Sequence, residues 1–189
     1  MSRKPVSPES SDEELMQAVC LDEVPAFGLL YGRYKGRIIS FTRRLLQNQQ
    51  KAEDATQEIF LRILKKKKTY NTAKKFSGWL YSIAANICID ELRRLKFSGS
   101  NEEIKYQNAV AGHADAPYQE MEKTEKEIII KKALNLLTKE QKMMIILHKY
   151  QNQTYEEIAE ILGKDYNQIK WQLKIAYEIL EKELTPYFR

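Results

Sequence analysis

The chain is short of the residues that build tight-turned sheets, disulfide frameworks and metal sites. Only seven glycines and five prolines occur in 189 residues, and no stretch sustains the apolar and polar alternation of a half-buried strand, so a sheet protein is not expected. The two cysteines, Cys20 and Cys88, lie far apart inside helix-like patterns. Each reads as a small buried side chain rather than half of a disulfide or a metal site. His113 and His148 are the only histidines, too few to complete a zinc cluster with two separated thiols. No nucleophile and base pair, metal-ligand cluster or phosphate-binding loop is visible, so neither catalysis nor a cofactor or metal is expected. No apolar run approaches membrane-spanning length, and the opening MSRKPVSPESSDEE is polar and charged. Together these point to a cytoplasmic protein with no membrane insertion.

What is present is helical. A composition of 43% hydrophobic and 30% charged residues is that of an ordinary soluble protein, and the balance of 31 basic to 26 acidic residues is compatible with a nucleic-acid partner. Apolar periodicity predicts helices over about Asp12 to Cys20, Val24 to Leu46, Ala52 to Lys65 and Phe76 to Lys96. The character then changes: FSGSNEEIKYQNAVAGHADAPYQ from Phe97 to Gln119 carries scattered Gly, Ser, Asn and Pro with little apolar stripe, the composition of a linker. Acidic side chains outnumber lysines across it. Helical pattern resumes in EKEIIIKKALNLL. The expected fold is therefore all-α, with a polar leader at 1–11, a helical domain at 12–97, a flexible linker at 98–122 and a second small helical domain at 123–189.

The second domain contains the sharpest local signal. TYEEIAEILGKDYNQIKWQLKIAYEIL reads as two short amphipathic helices joined at Gly163, with Ala159 where crossing helices need a small residue and Ile169 where the second helix buries into the first. Thr154 with Glu157, and Asp165 with Gln168, have capping-box spacing. Ile169, Leu173, Ala176 and Leu180 make one buried stripe, which leaves Asn167, Lys170, Trp171 and Lys174 on the opposite side. In a helix-turn-helix that side enters the major groove. An ordinary helical hairpin packed in an all-helical domain fits the same residues.

In the first domain, FSGWLYSIAANICIDELRRLKF places Trp79, Ser82, Asn86, Asp90 and Arg93 three or four residues apart along one face, away from Leu80, Ile83, Ala84, Ile87 and Leu95. An aromatic ring, an amide and an arginine on one face can stack on a base, bond its edge and hold phosphate. A solvated face with a half-buried Trp is the alternative. Upstream, AEDATQEIFLRILKKKK shares out Asp54, Gln57, Glu58 and Leu61 on a polar-edged surface and points Ile59, Phe60 and Ile63 inward. The lysines at 65–68, with Lys74 and Lys75, form a basic collar that either attracts phosphate or merely solvates a loop.

In this order, these segments closely resemble the extracytoplasmic-function (ECF) type of bacterial sigma factor, the promoter-recognition subunit of RNA polymerase. AEDATQEIF resembles the polymerase-binding helix, FSGWLYSIAANICIDELRR the helix that reads the downstream promoter element, and LTKEQKMMIILHKYQNQTYEEIAEILG the upstream reader. The resemblance implies that Asp54, Gln57, Glu58, Phe60 and Leu61 dock on the clamp helices of the largest subunits of core polymerase, which the C-terminal domain would meet at the flap region. It implies that Lys68, Lys74, Lys75, Trp79, Asn86, Asp90, Arg93 and Arg94 meet the single-stranded non-template −10 element, with Asn86 reading a flipped base. Extruding a base costs a few kcal/mol, so a pocket that holds only the extruded base joins melting to reading.

His148, Thr154, Asn167, Lys170, Trp171 and Lys174 would contact the duplex −35 element. The linker would thread near the active-site cleft, its acidic character suiting an RNA channel, unless it is a passive tether. A monomer when free, and an anti-sigma partner through which the protein could be held at the membrane, follow from the same resemblance. One departure stands out: relatives commonly end the last reading helix in arginines, whereas here no arginine follows Trp171 until Arg189. Lysine is a weaker geometric reader of guanine, which turns the expected target toward shape, phosphate contacts or A·T-rich sequence. A stand-alone helix-turn-helix regulator, whose N-terminal domain would dimerise or bind an effector, is the competing function, and a pure protein-interaction module a third.

Overall fold

The computed structural model describes residues 6–97 and 118–187, and among them all regular structure is helical. Most of the expected linker, including its acidic stretch, lies outside the described residues, as do residues 1–5 and 188–189. The N-terminal helices are α1 (Asp12–Cys20), α2 (Val24–Leu46), α3 (Gln49–Lys66) and α4 (Phe76–Phe97), with a short 3₁₀ turn at Lys67–Thr69. The C-terminal helices are α5 (Tyr118–Asn135), α6 (Lys139–Gln151), α7 (Tyr155–Leu162) and α8 (Tyr166–Leu184).

Local chemistry explains where these helices start. Ser11 and Glu14 form a reciprocal capping box on α1. Asn48 accepts from the Lys51 backbone N–H, which starts α3 at Gln49, ahead of the expected Ala52: the cap sets the boundary, and periodicity alone does not show it. The start of α4 is capped from outside, with Glu13 of α1 accepting from the Phe76 N–H at 2.9 Å. At the far end, α5 begins at Tyr118, inside the expected linker. Its first turns, YQEMEKTEKE, are rich in straight-chain helix formers without an apolar stripe, so periodicity misses them.

In the N-terminal half, α1, α2, α3 and α4 close around Leu15, Met16, Leu30, Ile38, Ile59 and Ile63, capped by an aromatic group of Tyr34, Tyr70, Phe76 and Trp79. Cys88 is fully buried there, and burial pushes its thiol up to about 12, so it stays protonated. In the C-terminal half, α6 is the central helix. Every residue from Gln141 to Leu147 is buried, because α2 covers one side of the helix and α8 and α7 cover the other.

The two halves pack directly, α6 on α2 and α7 on α4. Gln151 sits at the junction: its side-chain oxygen accepts from the buried Tyr81 hydroxyl, and its carbonyl accepts from Arg37 at 3.3 Å. Alongside, the Arg44 guanidinium lies 3.9 Å from the Tyr150 ring centre. Burial of the Tyr81 hydroxyl raises its pKa to about 12, consistent with a neutral hydrogen bond at the junction.

Lys142 is buried in α6 with its ammonium donating to Asn135 at 3.0 Å. Burial, reinforced by nearby Lys131, lowers its pKa from 10.5 to about 8. Between those values the unfolded chain binds more protons than the folded one, so this site adds stability as pH rises through the window and costs most below it. Lys142→Met is expected to raise stability at neutral pH by on the order of 1 kcal/mol and to flatten that rise. Urea unfolding of both proteins below and within the window checks it.

Candidate nucleic-acid and polymerase interfaces

The hairpin of α7 and α8 is built by its caps and its turn. Thr154 and Glu157 form the predicted capping box, and Gly163 takes the left-handed conformation at φ 61° that ends α7. The chain reverses there through Lys164 N–H donating to the Ala159 carbonyl at 3.0 Å. Asp165 then caps α8 by accepting from Asn167 and Gln168 N–H. Ile158, Ile161, Ile169, Leu173, Ala176 and Leu180 are buried, while Asn167, Lys170, Trp171 and Lys174 are exposed together on the outer side of α8.

Two other residues expected to contact the duplex are placed differently. Thr154 spends its hydroxyl on the α7 cap. His148 is half-buried on α6, its Nδ1–H donating to the Gln153 carbonyl at 2.9 Å and its ring edge-on to Tyr155 and Tyr177. It is drawn into packing rather than presented with the α8 face.

On α4, Asn86, Asp90, Arg93 and Arg94 are exposed, and Trp79 and Ser82 are half-buried at the N-terminal end of the same face. Trp79 is positioned by Tyr70, 5.2 Å away between ring centres, and by Phe76. Ser82 donates its hydroxyl to the Trp79 carbonyl at 2.8 Å. Arg93 reaches Asp90, and Arg94 reaches Glu91, at 3.6 and 3.7 Å. Lys68 is exposed in the middle of the 3₁₀ turn.

Lys74 and Lys75 are also exposed, but they face the hairpin. Lys75 reaches Glu157 of α7 at 2.8 Å and Lys74 reaches Glu160 at 3.8 Å. The bond to Glu157 raises the Lys75 pKa, and the bond to Lys75 lowers that of Glu157. The α7 carboxylates thus already face the ammonium groups of this loop.

On α3, Asp54 and Gln57 are exposed, Glu58 pairs with Arg62 at 2.7 Å, and Leu61 is 51% exposed. Phe60 is 5% exposed, with the Tyr31 ring edge-on to it at 4.7 Å. It supports this surface from below.

Two segments match known families. Residues 30–97 match sigma-70 region 2 and residues 127–178 match sigma-70 region 4, in that order and together over more than half the chain. The chain belongs to the sigma-70 family. Among curated relatives, the ECF RNA polymerase sigma-E factor of Haemophilus influenzae is 27% identical, with 93% of this chain and 96% of that protein aligned. The ECF RNA polymerase sigma factor SigW of Bacillus subtilis is 29% identical over 84% of this chain and 89% of its own. The fold is also that of the sigma factor RpoE of Bartonella quintana, solved in complex with the anti-sigma factor NepR: TM-score 0.65, 23% identity, 88% of this chain and 100% of that one covered. The protein is a sigma factor of the ECF type.

Within this sigma factor, the N-terminal helices present residues that the α3 motif did not reveal, some of them ahead of the matched region 2 segment. Val24, at 80% exposure, and Tyr31 come from α2, with half-buried Phe27 between them, and Leu64 joins Leu61 from α3. Phe27 and Tyr31 both pack on Phe60, so the apolar patch continues from α3 onto α2. The spacing of Val24, Phe27 and Tyr31 at i, i+3 and i+7 was a readable signal. It describes a second apolar side of α2, distinct from the core stripe of Leu30, Ile38 and Phe41.

The carboxylates that face the loop suggest a direct check. Glu157→Gln with Glu160→Gln keeps the capping-box geometry, since glutamine serves at that position, and removes both negative charges. The double variant is expected to bind a single-stranded −10 oligonucleotide about two- to fivefold more tightly at low salt, the gain fading as salt is added. Fluorescence anisotropy across a salt series reads this out.

Proposed function

We propose that this sigma factor is a dissociable initiation factor divided as 12–97 for core binding and −10 recognition and 123–189 for −35 recognition, joined by the segment 98–122. The observation that carries the reading is the coincidence of each matched region with an exposed polar face: Asn86 to Arg94 on α4, with half-buried Trp79 at its end, within region 2, and Asn167 to Lys174 on α8 within region 4. Asp54, Gln57 and Leu61, with Phe60 beneath them, form the docking surface for the polymerase clamp helices, and Val24 and Tyr31 extend it.

Asn86 reads an unpaired base of the non-template strand while Trp79, braced by Tyr70, stacks at the edge of the melted segment. Arg93, Arg94, Lys68, Lys74 and Lys75 hold phosphates around them. Lys170, Trp171, Lys174 and Asn167 meet the upstream duplex in the major groove. Phosphodiester chemistry stays with the polymerase. The protein acts in the cytoplasm, where an anti-sigma partner that covers these faces would hold it inactive.

A stand-alone regulator does not require a region 2 segment, and the match over residues 30–97 disfavours it. In vitro transcription with purified core polymerase and a genomic DNA library tests the proposal. Promoter-specific starts that depend on this chain are expected. Tight operator binding in the absence of core polymerase, with no such starts, would refute it.

A further inference from the structure

The outer side of α8 has an unusual set of reading groups. Trp171 is 61% exposed, directly opposite the stripe of Ile169 and Leu173, and its indole is matched to no other ring or hydrogen-bonding group among the described residues. Asn167 lies one turn before it and Lys174 three residues after it, both exposed, and Tyr166 is exposed at the start of the helix. Gln172 is withdrawn from this side by a 3.0 Å hydrogen bond from Gln141 of α6. Guanidinium is missing altogether: no arginine lies between Arg94 and Arg189. The helix therefore has no bidentate reader of guanine, and Lys170 offers only a point charge.

What remains matches a different base pair. An asparagine amide can donate to N7 and accept from N6 of adenine in the same plane, and a flat apolar side chain can cover the 5-methyl group of thymine. One helical turn rises about 5.4 Å, so groups one turn apart face neighbouring base pairs. Resting on the assignment of α8 to the upstream element, we propose that this helix reads an A·T step, Asn167 holding the adenine edge and Trp171 covering the thymine 5-methyl group. The upstream element is then recognised through methyl groups, with Lys170 and Lys174 supplying phosphate attraction that carries no sequence information.

The experiment uses the full chain with core polymerase. Upstream duplexes bound from a randomised pool are sequenced, and the preferred one is synthesised either with thymine or with deoxyuridine, which lacks only the methyl group. The preferred element should contain A·T steps, and deoxyuridine should weaken wild-type binding by about fourfold per methyl, the factor that corresponds to burying one such group. Trp171→Ala should lose a similar factor on the thymine duplex and become indifferent to deoxyuridine, whereas Trp171→Phe should stay sensitive. Wild-type binding that ignores the methyl group, or an alanine variant that still senses it, would overturn the proposal while leaving α8 as the upstream reader. If Lys170→Ala with Lys174→Ala leaves the affinity for the upstream duplex unchanged, for the preferred and the scrambled sequence alike, the assignment of α8 fails, and the proposal fails with it.

Discussion

Replacing Asn86 by alanine is expected to lower initiation at a cognate promoter by about 10- to 100-fold, the effect of one well-placed base contact. Asn86 is exposed on α4 between the Trp79 end and the arginine end of the face. Alanine is the better helix former, and the substitution removes no buried group, so the variant should fold at least as well as wild type. Core binding, proposed for the distant α2 and α3 side, should remain within about twofold by the same reasoning. A promoter carrying a pre-melted bubble divides the remaining possibilities. If Asn86 reads the extruded base, the defect persists on the bubble template, because recognition is lost as well as opening. Normal initiation from the duplex promoter would remove Asn86 from the account.

The second large effect is expected at the opposite surface. Asp54→Ala together with Gln57→Ala should weaken association with core polymerase by about 10- to 100-fold, and adding Leu61→Ala should weaken it further, since apolar groups at the centre of an interface carry much of its energy. Asp54, Gln57 and Leu61 are exposed, so these changes should leave stability within about 0.5 kcal/mol. A thermal melt that matches wild type makes the loss of binding interpretable. Promoter-strand binding by the α4 face should be untouched in the same variant. Unchanged core affinity would take this surface out of the docking interface.

Much of this was legible because it is local. The helix-turn-helix rests on Thr154, Gly163 and Asp165, each acting within a few residues through a cap or a left-handed turn, and all three do what their positions predict. The α4 face rests on side-chain spacing of three and four, which a helix converts directly into a shared surface. The α8 stripe of Ile169, Leu173, Ala176 and Leu180 is buried as its spacing requires. The division between Phe60 inside and Leu61 outside follows from their adjacent positions on one helix.

The tertiary structure decided what depends on residues remote in sequence. Spacing does not distinguish a lysine reserved for phosphate from one already facing a carboxylate, yet Lys75 meets Glu157 and Lys74 meets Glu160 across the two halves. Nor does it show that His148 is turned into the packing between α7 and α8, or that Gln151 receives the Tyr81 hydroxyl. The α6 helix shows the limit most plainly: MMIIL has no polar side to read because other helices cover it all round. By itself the sequence determined the main helical periods, the caps of α7 and α8 and the outward faces, because those follow from interactions within a turn or two. Which faces meet, and which charges are already answered, came only from long-range packing, whose partners no local period encodes.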